Sequence, residues 1–177
     1  MTLKQRLLAV NDNGFNGWCR KDIVKMTSTI LGLLFKLYNI PNHKILIGDI
    51  NLDNFVVFSP NEIYLVDVDS IQVDEFPCPV GQDNFVPAEL QGVQFSNILR
   101  SPDNEKFSVA CLLFLCLMNN KNPFACIDGE TPAMNIKAGN FPYCANGDVK
   151  NNAPLGNWKY LWAFLPDYIR AAFVKTF

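Results

Sequence analysis

The clearest strand signal in this chain is confined to two short runs, Phe55–Phe58 and Ile63–Val66, which are rich in β-branched and aromatic residues. Ser59, Pro60 and Asn61 lie between the runs and favour a tight turn. The two runs therefore predict one β-hairpin. Because there is almost no further strand signal after the hairpin, the rest of the fold is predicted to be built from helices and loops.

Helical patterns lie on both sides of the hairpin. Apolar residues recur at three- and four-residue steps through 21–38, and a nearly continuous apolar run over 107–118 predicts a helix buried on all sides. Shorter helices are expected at 3–10, 158–164 and 167–177. Pro166 is expected at the first position of the last one. The fold class is predicted as α+β, mostly α-helical, in a single domain spanning 1–177.

Composition excludes several classes of protein. With 49% apolar and 18% charged residues and a net charge of −2, the chain is predicted to be globular, and it shows no basic stripe for binding nucleic acid. The most apolar stretch, 109–118, is too short to span a bilayer, so we expect a cytoplasmic protein without membrane association. The six cysteines form no C-x-x-C pair and are predicted to be buried, reduced thiols.

Acidic and amide residues bracket the predicted hairpin. Asp49 and Asn54 precede it, and Asp67 follows it. Because a hairpin returns the chain to near its starting point, we expect these three side chains to converge in one cleft. Asn54 and Asp67 offer the hard oxygen ligands that Mg²⁺ prefers, and Asp49 remains to orient or deprotonate a hydroxyl nucleophile.

The order of these residues resembles the catalytic and metal-binding loops of the protein kinase-like superfamily. Pro87-Ala88-Glu89 resembles the end of a kinase activation segment, and the apolar helix from Phe107 resembles the long core helix of the C-terminal lobe. The resemblance is closest to bacterial protein kinase-like proteins of the type that can carry a helix-hairpin-helix DNA-binding region. It covers roughly 20–177 and is carried by the stretches IGDINLDNFVV, YLVDVDSIQV, FPCPVG, FVPAELQG and KFSVACLLFLCLMNNKNPFA.

This resemblance implies a fold and an activity. The chain would be a C-terminal lobe in which the small β-hairpin carries the catalytic and metal-binding loops, with the N-terminal lobe absent. Asp49 and Asn51 would occupy the catalytic positions, while Asn54 and Asp67 would hold Mg²⁺ on the phosphates of ATP. The complete protein would transfer a phosphoryl group from ATP to Ser or Thr hydroxyls of a protein substrate.

The resemblance also assigns structural positions outside the loops. Asp69, Pro87 and Glu89 would belong to the activation segment, and Glu89 would pair with an arginine that the resemblance places beyond Phe177. Glu105 stands where the family has an aspartate in its core helix.

Departures from the family pattern leave a non-catalytic alternative open. Gly48 stands where the family has an arginine, Asn51 where it has a lysine, and Asp69 where it has the glycine of Asp-Phe-Gly. No glycine-rich loop or ATP-binding lysine precedes Asp49, so we expect negligible ATP affinity for this chain alone and an N-terminal lobe supplied by a missing stretch or a partner chain. The alternative is a pseudokinase-like binding module or truncated relic that uses the groove around residues 70–92.

Two further expectations concern the hairpin and the residues after it. Asp67-Val68-Asp69 also matches the Asp-x-Asp motif of haloacid-dehalogenase-like phosphatases and of some glycosyltransferases. A phosphatase of that class needs a parallel sheet with alternating helices, which the sequence after Ser70 does not predict. In addition, without a covering N-terminal lobe the apolar side chains around Phe55, Val57 and Val68 are expected to be exposed.

Overall fold

The structure is a computed structural model that describes residues 1–12, 17–144 and 153–177. Within these residues the helices are α1 (Leu3–Asp12), α2 (Arg20–Tyr38), α3 (Pro102–Leu117), α4 (Pro132–Lys137), α5 (Trp158–Ala163) and α6 (Asp167–Thr176). The strands are β1 (Ile45–Leu46), β2 (Phe55–Ser59), β3 (Glu62–Leu65) and β4 (Gln72–Val73). Helices and two small antiparallel sheets thus form a mixed fold, consistent with the predicted α+β class.

The helices α2 and α3 pack against each other at the centre of the fold. The buried face of α2 follows the predicted helical spacing, and α3 is buried on most sides, as its apolar sequence predicted. α3 begins at Pro102, more than a turn before the predicted start, because Ser101 caps it: its hydroxyl accepts a hydrogen bond from the Asn104 N–H at 3.2 Å. No helix in the described part of the chain combines the length and apolar character needed to cross a membrane.

An aromatic cluster joins α3 to the C-terminal helices. Phe114 of α3 lies at its centre, with its ring centroid 5.1 Å from that of Phe173 and 5.2 Å from that of Tyr143. Trp158 and Trp162 of α5 are both buried and belong to the core. Pro166 is the N-cap of α6 rather than its first helical residue, so that prediction was wrong by one position.

The hairpin is present as predicted, with Phe55 opposite Leu65 and a register shift between Val57 and Ser59. The expectation that its apolar residues are exposed was wrong for Phe55 and Val57, which are 0% and 1% exposed. The N-terminal segment covers them: the Val57 N–H donates to the Met1 carbonyl at 2.9 Å, and α1 packs against β2. Val68, beyond the hairpin, is 50% exposed as expected.

A second sheet, absent from the predictions, pairs β1 with β4 so that Leu46 lies opposite Gln72. Asp74 closes this pair, because its N–H donates to the Lys44 carbonyl and its carboxylate accepts from the Lys44 N–H, both at 2.8 Å. The carboxylate also contacts His43, and this hydrogen bond is the main cause that lowers the pKa of Asp74. The sheet joins the segment before Asp49 to the long loop after the hairpin.

The six cysteines are free thiols, as predicted. Cys111 and Cys116 are fully buried within α3, where burial raises the pKa of both thiols, that of Cys116 to about 12. The predicted burial was wrong for Cys19, which is exposed at the start of α2, and Cys144 is only partly buried.

Candidate functional site

Two carboxamides hold Asp49 in the segment between β1 and β2, called the Asp49 loop here (residues 47–54). Asn51 Nδ2 donates to Asp49 Oδ2 at 3.0 Å. Asn54 Nδ2 donates to the Asp49 carbonyl at 2.9 Å and lies 3.4 Å from Asp49 Oδ2. The aspartate and the two asparagines therefore form one hydrogen-bonded unit, so the loop brings together three of the four residues predicted for the catalytic and metal positions.

Asn51 uses its side chain within the loop itself. Besides its bond to Asp49, its Oδ1 accepts from the N–H groups of Asp53 at 2.8 Å and Asn54 at 3.2 Å. The residue is only 3% exposed. Since donor and acceptor are both engaged internally, Asn51 is placed to shape the loop rather than to contact a substrate.

Asp67 lies next to Asn54 at the open end of the hairpin. The ladder continues past β3, because the Val66 N–H donates to the Asn54 carbonyl at 2.9 Å and Asp67 follows directly. Asp67 has φ +57° and ψ +48°, a left-handed conformation that aspartate adopts more readily than most residues. Its carboxylate is exposed. The expected convergence of the two loop segments is therefore present in the backbone geometry.

The donor set at this edge can be compared with the needs of Mg²⁺. Asn54 commits its amide nitrogen to Asp49, so its Oδ1 is the atom left for a cation, and Asp67 offers an exposed carboxylate. In the described part of the chain, no group of three or more His, Cys, Asp or Glu residues is arranged to hold a metal ion. Two oxygen ligands from the protein fit a Mg²⁺ ion shared with substrate phosphates, and do not fit an all-protein cage.

One oxygen of Asp49 has no partner. Asp49 Oδ1 is buried and accepts no hydrogen bond from the described residues. Such an unsatisfied buried acceptor is uncommon in folded proteins and costs about 1–3 kcal/mol unless a water or ligand meets it. A donor from a bound water or ligand could therefore satisfy Asp49 Oδ1.

Glu105, predicted as a structural carboxylate of the core helix, anchors the start of the Asp49 loop. Its Oε1 accepts from the Ile47 N–H at 2.6 Å and from the Tyr38 hydroxyl at 2.7 Å, and its Oε2 accepts from the Gly48 N–H at 3.0 Å. Burial raises the pKa of Glu105, although these hydrogen bonds oppose the shift. Burial and the neighbouring carboxylate also raise the pKa of Tyr38.

The three residues predicted for the activation segment lie outside the Asp49 loop. Asp69 is exposed in a 3-10 turn (Val68–Ser70) that directly follows Asp67, and its carboxylate accepts from the Ser70 hydroxyl at 3.3 Å. Pro87 is buried and precedes a second 3-10 turn. Glu89 accepts a hydrogen bond from Asn104 Nδ2 at 2.8 Å. Among the described residues, Glu89 is therefore joined to the first turn of α3.

Two residues that sequence reasoning missed also touch the Asp49 loop. Cys78 and Arg100 both lie against Gly48, and a Cβ atom at Gly48 would be 2.6 Å from Cys78 Cβ and would overlap Arg100 Nη1. Cys78 lies in the FPCPVG stretch of the family resemblance and Arg100 in none of its stretches, but no pattern in the sequence placed either residue beside Gly48.

A large cavity lies elsewhere. In the described part of the chain, an open space of about 1650 Å³ is lined mainly by side chains of α2, α3 and α6. Asp49, Asn54 and Asp67 do not line it, whereas Glu105 and Arg100 lie at its edge. The candidate site is therefore identified by its side-chain chemistry and not by cavity size.

Comparison with known proteins gives one distant relation. The protein kinase YegI of Escherichia coli O157:H7 and that of Escherichia coli strain K12 are each 31% identical to the chain over 88 residues. The aligned stretch covers 47% of this chain and only 14% of each relative. No family model matches the chain. The similarity supports a kinase-like relation at the coarsest level.

Proposed function

We propose that this chain is the C-terminal lobe of a protein kinase-like domain, and that the complete protein transfers the γ-phosphoryl group of ATP to Ser or Thr hydroxyls of a protein substrate. The observation that carries the proposal is the position of Asn54, whose amide donates to the Asp49 carbonyl at 2.9 Å while its backbone carbonyl accepts from the Val66 N–H, directly before Asp67, at 2.9 Å. The distant similarity to protein kinase YegI supports it. We place the chain with bacterial kinase-like proteins of the type that can carry a helix-hairpin-helix region.

In this proposal each residue of the site has one task. Asn54 Oδ1 and the Asp67 carboxylate hold Mg²⁺, which neutralises charge on the phosphate oxygens when it is bound. Asp49 orients the acceptor hydroxyl and takes its proton. Asn51 keeps Asp49 in place through the bond at 3.0 Å, and Glu105 fixes the start of the loop from α3.

The remaining contacts to the nucleotide would come from outside the described site. Phosphoryl transfer needs cations and a covering loop over the phosphates. In this proposal they belong to an N-terminal lobe, provided either by another part of the same protein or by a partner chain.

A non-catalytic binding module is the second candidate, and one observation favours it. Asp49 Oδ1 is buried, and Asp49 Oδ2 accepts a bond from Asn51, so neither oxygen is offered to a substrate hydroxyl in this conformation. In that case the Asp49 loop would have only a structural role. The surface around residues 70–92 would bind a protein partner without phosphorylating it.

Radiolabelled ATP and casein as acceptor test the two candidates with the full-length protein that contains this chain. We expect Asp49→Asn to lower kcat by about 100-fold or more, because the proton acceptor is lost. Asp67→Asn should raise the Mg²⁺ concentration needed for half-maximal rate. The matched control is Asp53→Asn, since Asp53 lies in the same loop but pairs only with Lys4 at the surface, at 3.2 Å.

The outcomes separate the candidates. Transfer that depends on Asp49 and is unchanged in the Asp53→Asn protein supports the enzyme. Absence of transfer by the full-length wild type, or equal rates for wild type and Asp49→Asn, favours the binding module. Calorimetry on the 177-residue chain alone should show negligible binding of Mg·ATP, and micromolar binding would contradict the need for a second lobe.

A further inference from the structure

Arg100 is a buried cation at the start of the Asp49 loop. Only 5% of the residue is exposed, although arginine is almost never this buried without charged partners. Its guanidinium lies against Gly48, at the place where a side chain on that residue would begin. Gly48 has φ +74° and no Cβ, and both features leave room for the guanidinium.

The guanidinium is fixed to the long loop after the hairpin. Arg100 Nη2 donates to the Val80 carbonyl at 2.5 Å, and the guanidinium carbon lies 4.3 Å from the centre of the Phe95 ring. The main chain of Arg100 is held as well. Its N–H donates to Gln72 Oε1 at 2.7 Å, and its carbonyl accepts from Gln72 Nε2 at 3.0 Å. These contacts join three segments that are distant in sequence.

The charges around the guanidinium indicate why it is there. Arg100 acts electrostatically on Glu105, where it opposes the effect of burial, and on the Cys78 thiol, which Asp49 also influences. Arg100 Nε and Nη1 are buried and have no oxygen acceptor among the described residues, and neither has Asp49 Oδ1 a donor. The guanidinium of Arg100, which adjoins Gly48, and the carboxylate of Asp49 thus both act on the Cys78 thiol.

We propose that Arg100 is a positioning residue of the candidate site. Its guanidinium supplies the positive charge that balances the carboxylates of Asp49 and Glu105, and it joins the Asp49 loop to the segment around Val80. The guanidinium of Arg100 occupies the space that the missing side chain of Gly48 leaves free. The consequence for phosphoryl transfer rests on the proposed function, whereas the joining of the two segments does not.

Hydrogen exchange on the wild type, Arg100→Met and Arg100→Lys tests the joining directly. Methionine fills a similar volume without a charge, so the amides of residues 47–49, which are hydrogen-bonded, should exchange about tenfold faster or more. Lysine keeps the charge without the planar guanidinium, so it should restore part of the protection that Arg100→Met loses. Arg170→Met is the control, because Arg170 is a half-buried arginine of α6 paired with Asp167. It should leave these amides unchanged.

Unchanged exchange in Arg100→Met would overturn the proposal, and so would equal exchange in Arg100→Lys and Arg100→Met, because side-chain volume alone would then explain the site. If Arg100→Met does not fold, Arg100→Lys decides: a folded Arg100→Lys protein supports the role of the charge, and an Arg100→Lys protein that also fails to fold overturns it.

Kinetics on the full-length protein provide a second readout. Arg100→Met should lower kcat and leave the KM for ATP unchanged, with lysine restoring part of kcat. A change in KM alone would overturn the positioning role. If the wild type transfers no phosphate, the proposed function fails while hydrogen exchange still decides the role of Arg100.

Discussion

The Glu105 carboxylate receives hydrogen bonds from donors on two separate segments, the end of α2 and the start of the Asp49 loop. The Tyr38 hydroxyl and the Ile47 N–H share Oε1, and the Gly48 N–H uses Oε2. Because a buried N–H without an acceptor costs about 1–3 kcal/mol, this one side chain largely decides whether the loop keeps its shape.

Glu105→Gln should cost about 1–3 kcal/mol of stability, because glutamine has one acceptor oxygen for three donors. The cost should also depend on pH. Burial raises the pKa of Glu105, so the folded chain binds this proton more tightly than the unfolded chain. The stability that this proton contributes is therefore fully present below the ordinary pKa of 4.5 and is lost as the pH rises above it. Urea unfolding over this pH range should show the wild type losing its advantage over Glu105→Gln. An advantage that grows with pH would mean that the three donors outweigh burial.

The N-terminus of α3 connects two elements through one asparagine. Asn104 Oδ1 accepts from the Ser101 N–H at 2.8 Å, which completes a capping box, and Asn104 Nδ2 donates to Glu89 at 2.8 Å. The 3-10 turn at 88–90 is therefore attached to the first turn of the central helix. A change at this cap should weaken both elements together.

Asn104→Ala should lower the free energy of unfolding by about 1–2 kcal/mol, through loss of the cap and of the bond to Glu89. Asp103→Ala is the matched control one residue away, since Asp103 makes only a surface ion pair with Lys106 at 2.8 Å and should cost less than about 0.5 kcal/mol. Urea unfolding measures both. Equal losses for the two variants would show that the cap contributes nothing specific.

The whole molecule depends on the aromatic cluster that joins α3 to the C-terminal helices. Phe114 contacts five other aromatic rings of the cluster: Phe141, Tyr143, Trp162, Phe173 and Phe177. The central position of one ring makes the packing of α3 and α6 interdependent. In contrast, Phe164 between α5 and α6 is 81% exposed.

Phe114→Ala should therefore cost about 3–5 kcal/mol, the usual penalty for emptying a packed aromatic site. Phe164→Ala removes the same side chain from the surface and should change stability by less than about 0.5 kcal/mol. Denaturant unfolding followed by Trp fluorescence provides the comparison. A similar loss in both variants would contradict the central role of the cluster.

Local sequence patterns were sufficient for the features that repeat or turn within a short stretch. The apolar spacing of α2 and the Ser-Pro-Asn turn of the hairpin predicted their elements, and the short separation of Asp49 from Asn54 anticipated their contact. Ser101-Pro102 is a common signal for the beginning of a helix, and it marks the observed start of α3. The predicted start at Phe107 followed the apolar run instead of this signal.

The sequence by itself thus determined the helices α1, α2, α3, α5 and α6, the hairpin and the proximity of Asn54 to Asp49, because each depends on neighbours along the chain. The six-residue helix α4 was not predicted. Only the tertiary structure decided the pairing of β1 with β4, the burial of the hairpin under α1 and the place of Arg100 beside Gly48. These contacts join residues far apart in sequence, and strands of two residues or a single buried arginine have no period to reveal them. They form only where packing of the whole chain lowers the free energy enough to offset the entropy of closing long loops.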